Sequence, residues 1–413
     1  MENQQSLRPL TRREFIRRSG GAGIGLVGFS GFVPGFLARA AAADVPHPEK
    51  DRTILVLVQL AGGNDGLNTL VPHGDDAYYR LRPTLGIREG LHRLDGYHAF
   101  HPSCGPLAEL FKEGQLSIVQ NVGYPNPNRS HFRSMEIWET ASGSDDYAKE
   151  GWLGRYFDNY CAGAPQGGDG PLAVHVGNET PQSLHASSPH SIFGMSGQPR
   201  GRRADGADTL RELVEATEAG GNAAYLEHAM LDALITEDKV ERALAGYRTP
   251  TDYPGGRLSR ALKNVAALIV SGMDTRIYYV SQGGYDTHAG QLGSHANNLR
   301  ELSGALAAFQ KDLIRHKLDK QVVTMTFSEF GRRPSENGSE GTDHGTAAPL
   351  FVLGTQLKER LCGMPPNLQV EENQDLTFST DFRQVYATLL ERWFEVPGAP
   401  VVGEGFKPLG FLG

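Results

Sequence analysis

At 413 residues, 39% of them hydrophobic, the chain can bury a substantial core, as one large domain or as two ordinary ones. Its 40 lysines and arginines against 48 acidic residues give a formal charge of −8, an acidic balance that argues against nonspecific nucleic-acid binding. Its 3 cysteines, Cys104, Cys161 and Cys362, are too few and too scattered for a disulfide framework or a zinc knuckle.

The first segment is expected to be a targeting signal rather than part of the fold. Thr11-Arg12-Arg13-Glu14-Phe15-Ile16 precedes a Gly-rich, mildly apolar run from Gly20 to Leu37, and then the small-residue stretch Ala38-Arg39-Ala40-Ala41-Ala42-Ala43. Basic region, apolar region and cleavage site in that order, with paired arginines, read as a twin-arginine signal peptide over residues 1–43, cleaved after Ala43 or Ala40. The expectation is an exported protein, in a bacterium a periplasmic one, that uses the twin-arginine export machinery. Gly, Ser and Pro34 make the run too weakly apolar for a stable span of about 20 residues, so no membrane span is expected in the mature form. Losing residues 1–43 removes six arginines and two glutamates and leaves a net charge of −12.

Beyond the signal, Thr53 to Leu60 is a continuous apolar run, the pattern of a strand buried on both faces of a parallel sheet. Pro106 to Glu113 has helical spacing, Leu116 to Asn121 reads as a second strand, and Ser130 opens a helix that runs through Trp138. Leu172 to Val176 is a third strand. Residues 178–255, with charged helical stretches at Leu210 to Glu218 and Ala224 to Tyr247, read as a helical insertion or lid, or as a separate small domain. Alternation then resumes: helix Leu258 to Val270, strand Arg276 to Ser281, helix Leu292 to His316, strand Gln321 to Phe327, strand Pro349 to Leu353 and helix Phe382 to Phe394. Strands and helices alternating on both sides of an interruption predict one α/β domain over residues 44–413, a three-layer α/β/α sandwich with a mostly parallel central sheet.

Polar loops follow four of these strands, at the end where open α/β sheets assemble their sites. The first carries Asn64 and Asp65 within Gly62-Gly63-Asn64-Asp65-Gly66, either a ligand loop or an ordinary Asn-Asp-Gly turn. In the second, Ser130 stands at a helix N-cap between Arg129 and His131, where the dipole favours an alkoxide or a bound anion as well as a plain cap. The third holds Asp286 and His288 in an Asp-x-His arrangement that can turn both side chains toward one ion. The fourth, Ser328 to Gly345, supplies Glu329, Arg332, Arg333, Asp343 and His344. Asp65, Asp286, His288, Glu329, Asp343 and His344 are the candidate ligands for one or two divalent ions, with Zn, Mn, Mg and Ca all open. Arg332 and Arg333 are placed to bind the oxygens of a developing anion, or to neutralise those acids without a metal. Asn64, Arg129, His131 and Arg333 are the candidate substrate contacts, and His295 reads as an ordinary helix-face residue.

With those residues assembled, the chain resembles the exported family called domain of unknown function 1501. The matching pieces are LVLVQLAGGNDGLNTLVP at 55–72, RSHFRSMEIWET at 129–140, GGYDTHAGQ at 283–291 and SEFGRRPSENGSEGTDHGTA at 328–347. That family looks like a branch of the alkaline phosphatase and sulfatase superfamily, which implies metal ligands at the strand ends of an α/β/α sandwich. On that resemblance Asp65 matches the Asp after the first strand and Ser130 the helix-capping nucleophile. Asp286 with His288, and Glu329 with Asp343 and His344, match the further acid and histidine sets. The sulfatase signature Cys-x-Pro-x-Arg does not occur. The implied activity is metal-dependent hydrolysis of a phosphate or sulfate ester, with Ser130 or a water as nucleophile, Arg332 on the developing anion, and an anionic small molecule or glycan ester as substrate. The alternative is a noncatalytic exported protein that binds an anionic glycan or a cell-envelope partner.

Overall fold

The apolar run behind Thr53 forms strand β1 (Ile54–Leu60), and its alternate residues enter two different cores. Ile54, Val56, Val58 and Leu60 pack on one face of the sheet, Leu55 and Leu57 on the other. A strand wrapped this way has no solvent side, so its sequence shows no polar alternation. The computed structural model describes residues 53–161, 170–195, 222–371 and 374–413. The twin-arginine segment and the stretch from Leu210 to Glu218 lie outside the described residues.

After β1 come α1 (Gly66–Thr69), β2 (Leu70–Val71), α2 (Asp76–Leu81), β3 (His92–Arg93), β4 (Ala99–Phe100) and α3 (Gly105–Lys112). Strand β5 (Leu116–Gly123) leads to α4 (His131–Thr140) and α5 (Trp152–Tyr160), followed by β6 (Ala173–Val176) and β7 (Ile192–Met195). Next are α6 (Asn222–Gly246), α7 (Arg257–Val270), β8 (Ile277–Gln282), α8 (Gln291–Arg315), β9 (Val322–Phe327) and β10 (Ala348–Leu353). The chain closes with β11 (Leu361–Cys362), β12 (Thr380–Asp381), α9 (Phe382–Thr388) and α10 (Ala399–Val402).

The main sheet has the order β11-β5-β10-β9-β1-β8-β6-β7, with β12 also paired to β5. Every pairing is parallel except those of β10, which runs against both β9 and β5. Helices α3, α7 and α8 cover one face, and α4, α5, α9 and α10 the other, giving an α/β/α sandwich with a mostly parallel sheet. On the second face Trp138 stacks on Phe382 at 4.4 Å between centroids and Trp152 on Tyr386 at 4.3 Å, which seats α4 and α5 against α9.

The reversed strand matters for the site. The loops after β1, β5, β8 and β9 leave the carboxyl edge of the sheet, whereas the loop that enters β10 arrives there. The loop after β9 is the one that enters β10, so four loops meet at one edge.

Residues 178–255, expected to be helical, also supply β7, which extends the main sheet by pairing with β6. Beyond α6 the chain is pinned to α8 through Asp312, which is fully buried. Its Oδ1 accepts from Thr249 Oγ1 and Thr251 Oγ1, and its Oδ2 from the hydroxyls of Tyr247 and Tyr253. Cys104, Cys161 and Cys362 are all free thiols, and no described helix is long and apolar enough to cross a membrane.

Candidate metal centre

Glycine sets how closely the loops approach. Gly62 has φ +118° and Gly63 φ +77°, conformations that side chains rarely adopt. A Cβ on Gly62 would stand 2.4 Å from the Asp286 backbone nitrogen, and one on Gly63 2.4 Å from the Phe330 ring. The turn after β1 therefore packs against the backbone of the turn after β8 and against the Phe330 ring of the turn after β9.

Arg332 fastens them together. Its Nε donates to Gly63 O at 2.7 Å and its Nη1 to Thr342 O at 2.8 Å. Its Nη2 donates to Gly62 O, to Tyr285 O at 3.0 Å and to Asp286 Oδ1 at 2.7 Å. With every guanidinium nitrogen engaged and 1% of the residue exposed, Arg332 has no donor to offer a substrate anion. The structure corrects that expectation: Arg332 positions Asp286. Partial burial would raise the Asp286 carboxyl, but the hydrogen bond and the charge of the Arg332 guanidinium outweigh this and hold it below its usual value.

Around Asp286 stand three imidazoles whose Nδ1 atoms each face an oxygen acceptor. His131 Nδ1 lies 2.8 Å from Glu329 Oε1, His344 Nδ1 2.8 Å from Arg129 O, and His288 Nδ1 3.3 Å from Asp343 Oδ1. Carbonyl and carboxylate oxygens only accept, so each ring carries its proton on Nδ1 and, when neutral, presents a lone pair at Nε2. Those lone pairs converge. His344 Nε2 is 2.9 Å from His288 Nε2 and 3.2 Å from Asp286 Oδ1, and His288 Nε2 is 3.1 Å from the same oxygen. His131 Nε2 is 3.5 Å from Asp286 Oδ2 and, although buried, has no hydrogen-bond partner.

Lone pairs aimed at one another and at a carboxylate repel unless a cation or a proton lies between them. Ligand atoms about 2.0–2.1 Å from one tetrahedral ion stand roughly 3.3 Å apart, close to the separations observed here. His131, Asp286 and His344 offer atoms mutually within 4.8 Å, with His288 as a fourth donor on the solvent side. The donor set, imidazoles with one carboxylate, fits Zn and related divalent ions. An imidazole backed by a carboxylate, as His131 is by Glu329, is the usual outer shell of such ligands.

Other expected ligands lie elsewhere. Asp65 caps α1 and is fully buried, with Oδ2 2.6 Å from Arg82 Nη1 and a further bond from Gln291 Nε2. Burial raises its carboxyl, but the Arg82 charge and hydrogen bond outweigh this and lower it. Its charge is thus matched inside the core rather than offered to an ion. Glu329 and Asp343 stand behind His131 and His288, one bond removed from the converging atoms. Asn64, expected at the substrate, is 1% exposed and accepts from Thr69 Oγ1 at 3.1 Å, with His295 Nε2 at 3.0 Å from the same oxygen.

Ser130 is where the sequence placed it, at the N-cap of α4, exposed and making no side-chain capping bond. Arg129 and Arg333 flank Asp375, with contacts of 3.2 and 3.7 Å. No sequence pattern singles out Arg82 or Asp375, and His131 reads from the sequence as a substrate contact. The signal for His131 was its place immediately behind a helix cap at a strand's carboxyl end; Arg82 had none beyond being a charge between apolar residues.

The solved structures similar to this chain resemble it only distantly. The lipoteichoic acid synthase LtaP from Listeria monocytogenes aligns over 87% of this chain and 76% of its own, at 7% identity and a TM-score of 0.41. A protein of the alkaline phosphatase superfamily from Vibrio parahaemolyticus aligns over 89% and 76%, at 9% identity and 0.38. The zinc complex of the C-terminal periplasmic domain of EcEptC from Escherichia coli aligns over 74% and 73%, at 10% identity and 0.36. No curated protein matches the chain. The family model "Protein of unknown function (DUF1501)" matches residues 96–402, and the chain belongs to that family.

Proposed function

We propose that the protein is an exported, metal-dependent hydrolase of phosphate or sulfate esters. The observation that carries this reading is the convergence of His131, His288 and His344 Nε2 on Asp286, with the exposed Ser130 immediately before His131 in the chain. A divalent ion there would act as a Lewis acid on the ester oxygen and lower the pKa of the attacking group. Ser130 Oγ, at the N-terminus of α4, would attack phosphorus or sulfur, forming a seryl ester while its proton goes to the departing alcohol. Water then cleaves that ester and restores the hydroxyl. Arg129, its side chain 45% exposed, and Arg333 take the oxyanion role that Arg332 cannot fill.

The test is turnover of phosphomonoester, phosphodiester and sulfate-ester panels by the purified protein reconstituted with Zn, Mn, Mg or Ca. His344→Ala is expected to abolish both ion retention and activity, and Ser130→Ala to abolish activity alone. Activity that survives both substitutions overturns the site.

One observation favours a second reading. Four protein donors would close a tetrahedral shell, as in structural ion sites, and this suits a noncatalytic protein that binds an anionic glycan or envelope partner. Tight ion retention with no turnover by any reconstituted form decides for it.

A further inference from the structure

An open cleft of about 450 Å3 lies between α4 and the carboxyl ends of β6 and β8. One face of α4 lines it through Phe132, Met135, Glu136 and Glu139, at the spacing of a single helical stripe. Phe132 directly follows His131 and is 91% exposed, so an aromatic face stands uncovered in the cleft one residue from a candidate ligand.

Its lining is rich in hydrogen-bonding groups and poor in cations. The Tyr279 hydroxyl lies 3.0 Å from Gln59 Oε1 and 3.1 Å from Glu139 Oε1, its one proton serving either oxygen, while Glu139 Oε2 accepts from Gln182 N at 2.7 Å. His175 is 4% exposed; its Nε2 lies 3.3 Å from Thr180 Oγ1, and its Nδ1 has no partner. Among the described residues no lysine or arginine lines the cleft, and three glutamates do. Arg133 neutralises Glu136 at 2.8 Å. Burial raises Glu139 and lowers His175, each toward its uncharged form.

We infer that this cleft receives the alcohol portion of the ester and selects an uncharged polyhydroxyl group, of sugar type, over one carrying further anionic groups. This rests on the ester-hydrolase reading. A sugar ring has an apolar face to lay on Phe132 and hydroxyls to reach Glu139 and Gln182. A second phosphate or sulfate would be desolvated beside Glu179, with the nearby Arg133 already paired to Glu136. The negative charge of the substrate is thereby confined to the group being cleaved.

The experiment has a kinetic arm and a binding arm, both with the ion-loaded mature protein. In the first, kcat/KM is compared for methyl phosphate, glucose 6-phosphate and glucose 1,6-bisphosphate, and for the sulfate counterparts. Glucose 6-phosphate or its sulfate analogue is expected to exceed the methyl ester by about ten-fold or more, the scale of one aromatic stacking contact with supporting hydrogen bonds. Phe132→Ala should remove most of that ratio, and Glu179→Lys should improve the bisphosphate relative to the monoester. In the second arm, maltohexaose, cellohexaose and dextran sulfate are titrated calorimetrically into wild type and Phe132→Ala. A neutral oligosaccharide should bind wild type saturably and lose affinity in the variant.

Preference for the doubly charged ester, or an unchanged ratio in Phe132→Ala, overturns the inference while leaving the hydrolase reading intact. Absence of any turnover overturns the hydrolase reading, and the binding arm then decides alone. Neutral-sugar binding that depends on Phe132 upholds the cleft assignment, and no neutral-sugar binding overturns it.

Discussion

Glu329 is the residue whose role changes most on folding. It accepts from His131 Nδ1 and also from the Gly62 backbone at 2.8 Å, so one carboxylate sets an imidazole's tautomer and braces the turn after β1. Glu329→Gln keeps the shape but replaces an anionic acceptor. Affinity for zinc, read by competition with a coloured chelator, is expected to fall by about 10–100-fold, with the fold unchanged by circular dichroism. Unaltered affinity would leave Glu329 only as a brace. No residue pattern distinguishes an ion's ligand from the group behind it, because Glu329, Asp343 and Asp286 are all acids in strand-end loops. Their separation into partner and ligand rests on which side of an imidazole each one meets.

At the scale of elements, long buried strands were legible and short ones were not. The runs behind β1, β5, β8 and β9 are apolar on both faces, and their predicted limits fall within two residues of the observed ends. Strand β7 escaped because Ile192-Phe193-Gly194-Met195 is brief and sits among Ser, Pro and Gly; β11 and β12 are two-residue pairings with no pattern to read. The direction of β10 was likewise hidden, since an apolar run carries no sign of polarity. The Asp312 clamp yields a prediction at this scale. Asp312→Leu leaves four hydroxyls without their acceptor and is expected to cost about 3 kcal/mol or more in chemical denaturation. Amide exchange at residues 247–253 should accelerate far more than in β1 or β9. Uniform acceleration would mean that the clamp supports the whole sheet rather than the exit from α6.

For the molecule as a whole, stability should depend on pH through a pair of buried histidines away from the candidate centre. Burial lowers His101 and His295 to about 4, despite the opposing charge of Asp65; for His295, His101, Arg82 and Arg332 add to the lowering. An unfolded histidine takes up its proton near pH 6.5, which the folded ones refuse until about pH 4. The unfolded chain therefore binds more protons across that window, and stability falls as pH drops through it, by up to about 3 kcal/mol per histidine. Urea denaturation between pH 7 and pH 4 should show this slope, and His295→Gln should flatten it. The sequence marked His295 as an unremarkable helix residue; its neighbours Asn64, Asp65 and His101 come from distant segments, so nothing local revealed its burial.

The hydrogen bond between His131 and Glu329 joins residues 198 positions apart. Such a centre cannot exist in a half-formed chain, because its parts are delivered only when β5, β8, β9 and β10 already lie in register. An ion that recognises this arrangement acts late: it holds the finished fold shut without helping it nucleate. Stopped-flow measurements with zinc-loaded and chelated protein should give coincident refolding limbs, while unfolding slows by about ten-fold or more with zinc. Occupancy would then govern how long a folded molecule lasts rather than how quickly one forms.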